Sequence, residues 1–441
     1  MRTYARLFSK ALWGTGICLF LGAGPVLAAG LPMPESLDRR GLDRFFDNAA
    51  GFGQFEPLAA TPAPQAPPQT TGIEYNGTEL PRVAFPENGS VSKLLVDAID
   101  HTEASLKLIL YDFNLQEVLE AIQRARDRNP PVQIQLVLDE SHVFPSKPGA
   151  VPPPQMQALL KDPKIQVRIV RGFDYFGIMH NKIAIFDGKM VEHGSFNWTN
   201  AAEKRNHENA LFTTDPHRVG MYQLYWDWLW KNAQSPDKPH GPPTLTPGPP
   251  RDQATPVRFQ NTLFPAVVFS PHGGTSQWLI KAIHKSKSTI DVAMFSFYHQ
   301  GIADALLERK QKGVKIRLIL DKNQARNSPV VAFLREEGFE MRITSGRPGG
   351  QGMGVMHNKF GIFDGQMVET GSYNWSNNAE NNNFEDTNFI TDPPVISAFQ
   401  GDFETIWGAS EQMSSQPAPR TPLEASADTA GGQQPLPFPN L

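Results

Sequence analysis

The chain contains nearly the same ten-residue segment twice, and this duplication limits the folds that it can adopt. MHNKIAIFDG begins at Met179 and MHNKFGIFDG begins at Met356, with two differences between them. Flanking segments also recur: LKLILYDF corresponds to IDVAMFSF, and VQIQLVLDE corresponds to VKIRLILDK. From His180 onward the spacing between the copies stays at 177 residues. The chain is therefore predicted to fold as two copies of one structural unit.

Composition divides the rest of the chain. Residues 1–28 combine basic residues, an apolar stretch and a small-residue site ending at Ala28, which is typical of a secretory signal. This predicts a secreted or periplasmic protein; the alternative is an uncleaved anchor, although the apolar stretch is short for a bilayer span. The predicted organisation is a signal peptide at 1–28, a Pro/Ala-rich disordered leader at 29–80, repeat 1 at 81–233, a Pro-rich linker at 234–256, repeat 2 at 257–409 and a disordered tail at 410–441.

Each repeat alternates short apolar, β-branched runs with helical patterns such as SVSKLLVDAIDH and QEVLEAIQRARDR. This alternation predicts an α/β fold in which helices flank a largely parallel sheet. The duplicated segment starts as a strand and ends in Asp-Gly, the strongest short signal for a β-hairpin. The returning strand carries MVEHGSFNW in one copy and MVETGSYNW in the other.

Histidine is the first candidate for chemistry. Of the eleven histidines, only His180 and His357 recur at matching positions. Alternate residues of a strand face the same way, so His180 projects with Lys182 and His357 projects with Lys359. A fixed ammonium group repels a divalent cation and attracts an anion, so this pair suits a phosphate better than a metal ion.

The returning strand adds neutral polar groups to this predicted anion site. Ser195 and Asn197 share a face, and the same Gly-Ser-x-Asn pattern recurs with Ser372 and Asn374. Hydroxyl, amide, ammonium and imidazole groups together suit a phosphodiester.

Two pairs of carboxylates also recur, and each has two interpretations. Asp187 and Asp364 precede the glycine of the hairpin, where the turn alone favours aspartate; the alternative is a supporting role in the site. Glu208 and Glu385 either take the Nδ1 proton of a histidine, leaving Nε2 as a nucleophile, or are charges on a strand surface.

The pattern His-x-Lys-x4-Asp followed by Gly-Ser-x-Asn, present twice, resembles the paired HKD motifs of the phospholipase D superfamily. The amino-acid sequence around the returning strands resembles that of its bacterial endonuclease and mitochondrial cardiolipin hydrolase branch. Members of that branch carry one motif per chain and dimerise. The resemblance implies two homologous α-β-α sandwich repeats with the active site at their pseudo-twofold interface, no metal and no cofactor. Because this chain carries both motifs, a monomer is predicted.

The resemblance also implies roles for the recurring residues. His180 forms a phosphohistidine, while His357 protonates the leaving alcohol and then activates the water or alcohol that releases the product. The implied catalytic residues are His180, Lys182, Asp187, His357, Lys359 and Asp364, and the implied phosphate-binding and supporting residues are Ser195, Asn197, Ser372, Asn374, Glu208 and Glu385.

The expected function is hydrolysis of the head-group phosphodiester of phospholipids, with transient contact to a membrane surface. A formal net charge of −4 and the lack of a basic stripe argue against tight polynucleotide binding. The motif text is nevertheless most similar to the nuclease branch, so a secreted endonuclease with nucleic acid as substrate is the alternative. A phosphatidyltransferase resembling cardiolipin synthase and a non-catalytic binding module are lesser alternatives.

Overall fold

A computed structural model describes residues 72–174, 176–243, 248–347 and 353–413. The predicted signal peptide, residues 29–71 of the leader and the tail from residue 414 lie outside these ranges. Both repeats fall within one unit of the chain, Ala66–Leu441. None of the helices in the described ranges is both long enough and apolar enough to cross a bilayer.

Repeat 1 is built from nine strands and six helices within the described residues. The strands are β1 (Ile73–Tyr75), β2 (Thr78–Leu80), β3 (Val83–Ala84), β4 (Ser105–Leu110), β5 (Gln133–Asp139), β6 (Gln166–Val170), β7 (Lys182–Phe186), β8 (Met190–Gly194) and β9 (Ala210–Thr213). The helices are α1 (Val91–Asp100), α2 (Gln116–Arg126), α3 (Glu140–Val143), α4 (Pro154–Lys161), α5 (Asn200–Lys204) and α6 (Pro216–Asn232).

Repeat 2 follows the same order and ends with one additional strand. Its strands are β10 (Val257–Phe259), β11 (Thr262–Phe264), β12 (Val267–Ser270), β13 (Thr289–Met294), β14 (Lys315–Asp321), β15 (Glu340–Thr344), β16 (Lys359–Phe363), β17 (Met367–Gly371), β18 (Glu385–Ile390) and β19 (Glu411–Gln412). Its helices are α7 (Thr275–Lys285), α8 (Gln300–Gln311), α9 (Lys322–Asn327), α10 (Pro329–Glu336), α11 (Asn377–Asn381) and α12 (Pro393–Ala409).

Each repeat has one mixed sheet, and the two sheets have matching strand orders. The orders are β3-β9-β8-β7-β4-β5-β6 and β12-β18-β17-β16-β13-β14-β15-β19. Among the strands that the structure describes, only β4-β5-β6 and β13-β14-β15 pair in parallel. The α/β class and the two repeats are confirmed, but the prediction of a largely parallel sheet is wrong. The Asp-Gly hairpin accounts for one antiparallel pair in each sheet, β7–β8 and β16–β17, because a two-residue turn joins antiparallel strands only.

Both repeats begin with a small hairpin, and in repeat 1 it lies inside the predicted leader. β1 pairs with β2 just as β10 pairs with β11, and Ile73, Tyr75 and Leu80 are buried. Repeat 1 therefore begins before residue 81, and its sequence IEYNGTEL contains the Asn-Gly signal of such a turn. The start of the predicted tail is also folded, since β19 pairs with β15.

The two repeats share a hydrophobic core. Helix α6 of repeat 1 packs on β7 and β8 of its own sheet and on β12 of repeat 2. The ring of Tyr225 on α6 stacks on that of Phe269 on β12, with centroids 4.1 Å apart. Burial of this apolar surface fixes one repeat against the other, and any site at their junction has rigid walls.

Candidate active site

The motif residues gather at one edge of each sheet. Strand β7 begins at Lys182, opposite Leu110 at the carboxyl end of β4. Strand β8 ends at Gly194, just before Ser195, and Gly194 pairs with the first residue of β9, two positions after Glu208. The antiparallel register therefore brings the segments around residues 180, 195 and 208 together, and repeat 2 does the same around 357, 372 and 385.

These two edges face each other across the junction of the repeats. The backbone N–H of His180 donates to the carbonyl of Phe384 (2.9 Å), and that of His357 donates to the carbonyl of His207 (3.0 Å). The centroids of the two motif imidazoles lie 6.4 Å apart. Both rings are more than nine-tenths buried, so the two histidines lie close together in a region with little exposure to solvent.

Each motif histidine is hydrogen-bonded to a glutamate of the opposite repeat. Nδ1 of His180 lies 2.9 Å from Oε2 of Glu385, and Nδ1 of His357 lies 2.8 Å from Oε2 of Glu208. An accepting carboxylate holds the proton on Nδ1 and leaves Nε2 for substrate. The histidine-partner interpretation of the two glutamates fits this geometry; the strand-surface interpretation does not, because both are fully buried.

The two serines support these glutamates. Oγ of Ser372 donates to Oε2 of Glu385 (2.6 Å), and the amide of Asn383 donates to the other carboxylate oxygen (2.9 Å). Repeat 1 has the same arrangement, at 2.7 and 3.0 Å, with Ser195, Asn206 and Glu208. Both asparagines were missed from sequence although they recur at the same spacing of 177 residues.

Two buried lysines provide the positive charge of the site. Lys182 and Lys359 are 0% exposed, and each ammonium donates to the backbone carbonyl of the histidine two positions before it. Burial lowers the pKa of Lys182 to about 8 and that of Lys359 to about 7, although the nearby glutamates oppose the change. An anion beside them would favour their charged forms.

Burial also controls protonation of the other groups. It lowers the pKa of His357 to about 4 and that of His180 well below its usual value, with the two ammonium groups adding to the effect. Both imidazoles are therefore neutral near pH 7 in the free protein. Burial raises the pKa of Glu385 to about 8, opposed chiefly by Lys182, whereas His357 and Lys359 hold the pKa of Glu208 below its usual value despite its burial.

The hairpin aspartates do not belong to the site, which corrects their implied catalytic role. The carboxylate of Asp187 accepts from the backbone N–H groups of residues 103–105 and from the side chains of Tyr75 and Asn76. Asp364 accepts in the same way from the N–H groups of residues 287–289 and from Gln260. Both lie at the far end of their strands from the histidines, where they anchor the hairpins.

The two motif asparagines lie beside the site with unsatisfied oxygens. Among the described residues, Oδ1 of Asn197 and Oδ1 of Asn374 are buried without a hydrogen-bond partner. Such atoms are uncommon in folded proteins, and each can accept a hydrogen bond from water or from a donor group of a ligand. Within the same ranges, no group of three or more His, Cys, Asp or Glu side chains is arranged to hold a metal ion.

One side of the site has extra polar groups that do not recur. The ring of Tyr111 packs edge-on against His180, and that of His142 packs edge-on against Tyr111, with centroids 4.9 and 4.4 Å apart. The counterpart of Tyr111 is Phe295, which packs 4.9 Å from His357. Recurrence could not identify His142, because the matching residue of repeat 2 is Gln324.

Comparison with known proteins places the chain in a family. The family described as "Cardiolipin synthase, PLD-like domain" matches residues 95–230 and 279–407, one match in each repeat and together more than half of the chain. The chain belongs to the phospholipase D superfamily. It is 34% identical over 121 residues to a mitochondrial cardiolipin hydrolase of Chlamydomonas reinhardtii, covering 27% of this chain and 51% of that protein.

Two further comparisons, one with a sequence relative and one with a solved structure, cover larger parts of the chain. A phospholipase D of Rickettsia bellii is 30% identical over 167 residues, which cover 36% of this chain and 75% of that protein. The phosphatidylserine synthase structure of Haemophilus influenzae aligns with a TM-score of 0.57 at 13% identity, covering 75% of this chain and 87% of that one, and supports the fold alone. The chain spans about half the length of the Chlamydomonas cardiolipin hydrolase.

Proposed function

We propose that the protein is a phosphodiesterase that hydrolyses the head-group phosphodiester of phospholipids through a phosphohistidine on His180. The observation that carries this proposal is the pair of imidazoles 6.4 Å apart, each held through Nδ1 by a carboxylate of the opposite repeat. Displacement at phosphorus needs a nucleophile on one side and a proton donor on the other. The two Nε2 atoms supply one of each.

In the first step, Nε2 of His180 attacks phosphorus and the bond from phosphorus to the leaving oxygen breaks. His357 protonates that oxygen, so the alcohol leaves neutral. The substrate anion and Glu208 both favour the imidazolium form of His357, whose pKa is about 4 in the free protein. In the second step, the now neutral His357 takes a proton from water, which attacks phosphorus and releases His180.

The lysines and asparagines serve both steps. The ammonium groups of Lys182 and Lys359, with the side chains of Asn197 and Asn374, hold the non-bridging oxygens and stabilise the charge that develops on them. Because the lysines are buried, their attraction for this charge is screened less than at a surface. Fixed ammonium charges do the work that a divalent ion does in many phosphodiesterases, so the reaction is proposed to need no metal.

A phospholipid substrate is favoured by the relatives named cardiolipin hydrolase and phospholipase D. A secreted endonuclease is the second candidate, because the proposed reaction involves only the phosphodiester, which lipids and nucleic acids share, and the motif sequence resembles that of the nuclease branch. The pattern of residues 1–28 supports a further proposal, export to the periplasm or beyond. A mature N-terminus near Ala29 would support export, and a cytoplasmic protein with an intact N-terminus would refute it.

A side-by-side assay tests the proposed function. Purified protein, with EDTA present, is incubated with phosphatidylcholine, phosphatidylethanolamine, cardiolipin, single-stranded DNA and double-stranded DNA. We expect release of head group or phosphatidic acid from lipid and no loss of rate with the chelator. Cleavage of DNA alone would make the protein an endonuclease, and a strict requirement for a divalent ion would exclude the two-histidine mechanism.

A further inference from the structure

The exposed apolar side chains of the described residues are concentrated on a few loops. Six large apolar residues are exposed among the described residues. Two of them, Leu224 and Leu263, lie on α6 and β11. The other four lie on loops. Phe173 (37% exposed) and Phe176 (72%) lie between β6 and His180, Met353 (80%) lies between β15 and His357, and Val151 (70%) lies between α3 and α4.

Contacts place these loops at the mouth of the site. The loop of Phe173 and Phe176 runs from the end of β6 to His180. Its residue Ile178 donates through its backbone N–H to the side chain of Asn383, which in turn binds Glu385. The loop of Val151 follows α3, the helix whose His142 ring packs against Tyr111 beside the site.

The two sides of the mouth match. Phe176 lies four residues before His180, and Met353 lies four residues before His357, so the two occupy equivalent positions 177 residues apart. Both are more exposed than most apolar side chains of a folded domain. The chain therefore presents a large apolar group on each side of the pseudo-twofold axis.

The chemistry of these loops favours a lipid surface over a polynucleotide. Phenylalanine stacks on nucleobases, but valine and methionine have no π-face for that purpose. Aliphatic and aromatic side chains alike enter the acyl boundary of a membrane. The described parts of these loops carry three basic residues, Lys147, Arg171 and Arg347, against the single carboxylate of Asp174, and this net positive charge suits anionic head groups. Lys147 is exposed, whereas the guanidinium of Arg347 donates to the backbone carbonyls of Pro86 and Glu203.

We propose that Val151, Phe173, Phe176 and Met353 form an apolar rim that docks the site on an anionic phospholipid surface. Insertion of Phe176 and Met353 on the two sides of the mouth would bring the head-group phosphodiester down to the paired histidines. The inference rests on the proposed function for the reaction itself. It adds that the enzyme acts on phospholipids within a membrane surface rather than on dispersed lipid molecules.

Vesicle binding by paired double variants tests the rim. Phe176→Ser with Met353→Ser removes both flanking side chains, and Leu224→Ser with Leu263→Ser removes the same kind of exposed apolar group elsewhere. Binding to vesicles of phosphatidylcholine and phosphatidylglycerol is measured by cosedimentation. Cleavage of soluble bis(4-nitrophenyl) phosphate is measured in parallel. We expect the rim variant to bind vesicles about tenfold more weakly or worse, with soluble cleavage unchanged, and the control to match wild type in both.

The proposal is overturned if the rim variant binds vesicles like wild type or if the control variant loses as much binding. It is also overturned if wild type ignores vesicles and the rim variant loses cleavage of single-stranded DNA, because Phe176 would then stack on bases. Failure of wild type to cleave the soluble diester would instead refute the proposed function, so the two failures are distinguishable.

Discussion

Six buried ionisable side chains meet at the site, and their balance of charge would govern the proposed binding of an anion. Two lysines, two glutamates and two histidines are each nine-tenths or more buried. In the free protein, lowered lysine pKa values and the raised pKa of Glu385 reduce the number of charges that burial penalises. A bound phosphate reverses this tendency, because its negative charge favours both ammonium groups, and these in turn favour ionised Glu385.

Replacing Glu385 by glutamine tests the coupling of histidine and carboxylate. The amide preserves size but no longer provides the carboxylate that holds a proton on Nδ1 of His180. We expect kcat for bis(4-nitrophenyl) phosphate to fall by about a hundredfold to ten-thousandfold, with little change in thermal stability. Glu208→Gln is the matched variant on the other side. Wild-type kcat in either variant would show that its glutamate only fills space.

Inhibition by sulfate should weaken as the pH rises. Above pH values of about 7 and about 8 the ammonium groups of Lys359 and Lys182 lose their charge. Both changes disfavour an anion, while sulfate keeps its charge throughout. We expect Ki for sulfate to rise about tenfold or more between about pH 6 and pH 9. A constant Ki, or one that falls, would contradict the assigned lysine charges.

The hairpin that follows each motif lysine positions the site without entering it. The turn residues Asp187 and Asp364 have positive φ angles of 53° and 51°, followed by glycines at 64° and 60°, as in a two-residue hairpin turn. At the site end of the same sheet, a Cβ on Gly371 would lie 2.1 Å from the carbonyl oxygen of Asp386. The close approach of β17 and β18 there therefore requires glycine.

Alanine at Asp187 or Asp364 should lower stability and leave chemistry intact. Each substitution leaves three backbone N–H groups without their carboxylate acceptor, which costs about 1–3 kcal/mol in the free energy of unfolding. Urea unfolding measures this loss, and kcat is measured on the folded fraction. We expect kcat within a few-fold of wild type. A thousandfold loss of kcat in a folded variant would return the aspartates to the catalytic set.

The length of the strand between each motif lysine and its aspartate could have excluded these aspartates from the phosphate site. A strand rises about 3.3 Å per residue, so the five residues from Lys182 to Asp187 span about 16 Å, too far for a shared phosphate. Recurrence identified the histidines, lysines, serines, asparagines and glutamates because all share one spacing. It could not show that His180 binds Glu385 rather than Glu208, since that depends on how the repeats dock.

At the scale of the whole molecule, one chain supplies both halves of one site. Helix α6 joins the two sheets into a common core, and the histidine–glutamate bonds cross between the repeats in both directions. Neither repeat alone holds a histidine together with its carboxylate. Under the proposed mechanism, the duplicated decapeptide supplies the two imidazoles that act on opposite sides of one phosphorus atom.

Mixing two inactive variants tests whether the site is contained within a single chain. His180→Ala and His357→Ala should each abolish turnover of phospholipid, and a mixture of the two should remain inactive because no chain has both histidines. A mass measurement in solution should give the monomer. Recovery of activity on mixing would mean that sites form between chains, against the predicted monomer.

The most direct test of the two-histidine account is to trap the intermediate. Bis(4-nitrophenyl) phosphate has a leaving group that needs little protonation. In His357→Ala, Nε2 of His180 should therefore still displace one 4-nitrophenolate from phosphorus, and the 4-nitrophenylphosphoryl group should stay on the enzyme because its release fails. We predict an acid-labile mass increase on the peptide containing His180 in that variant, and none in His180→Ala. An adduct in His180→Ala, or no adduct in either variant, would contradict His180 as the nucleophile.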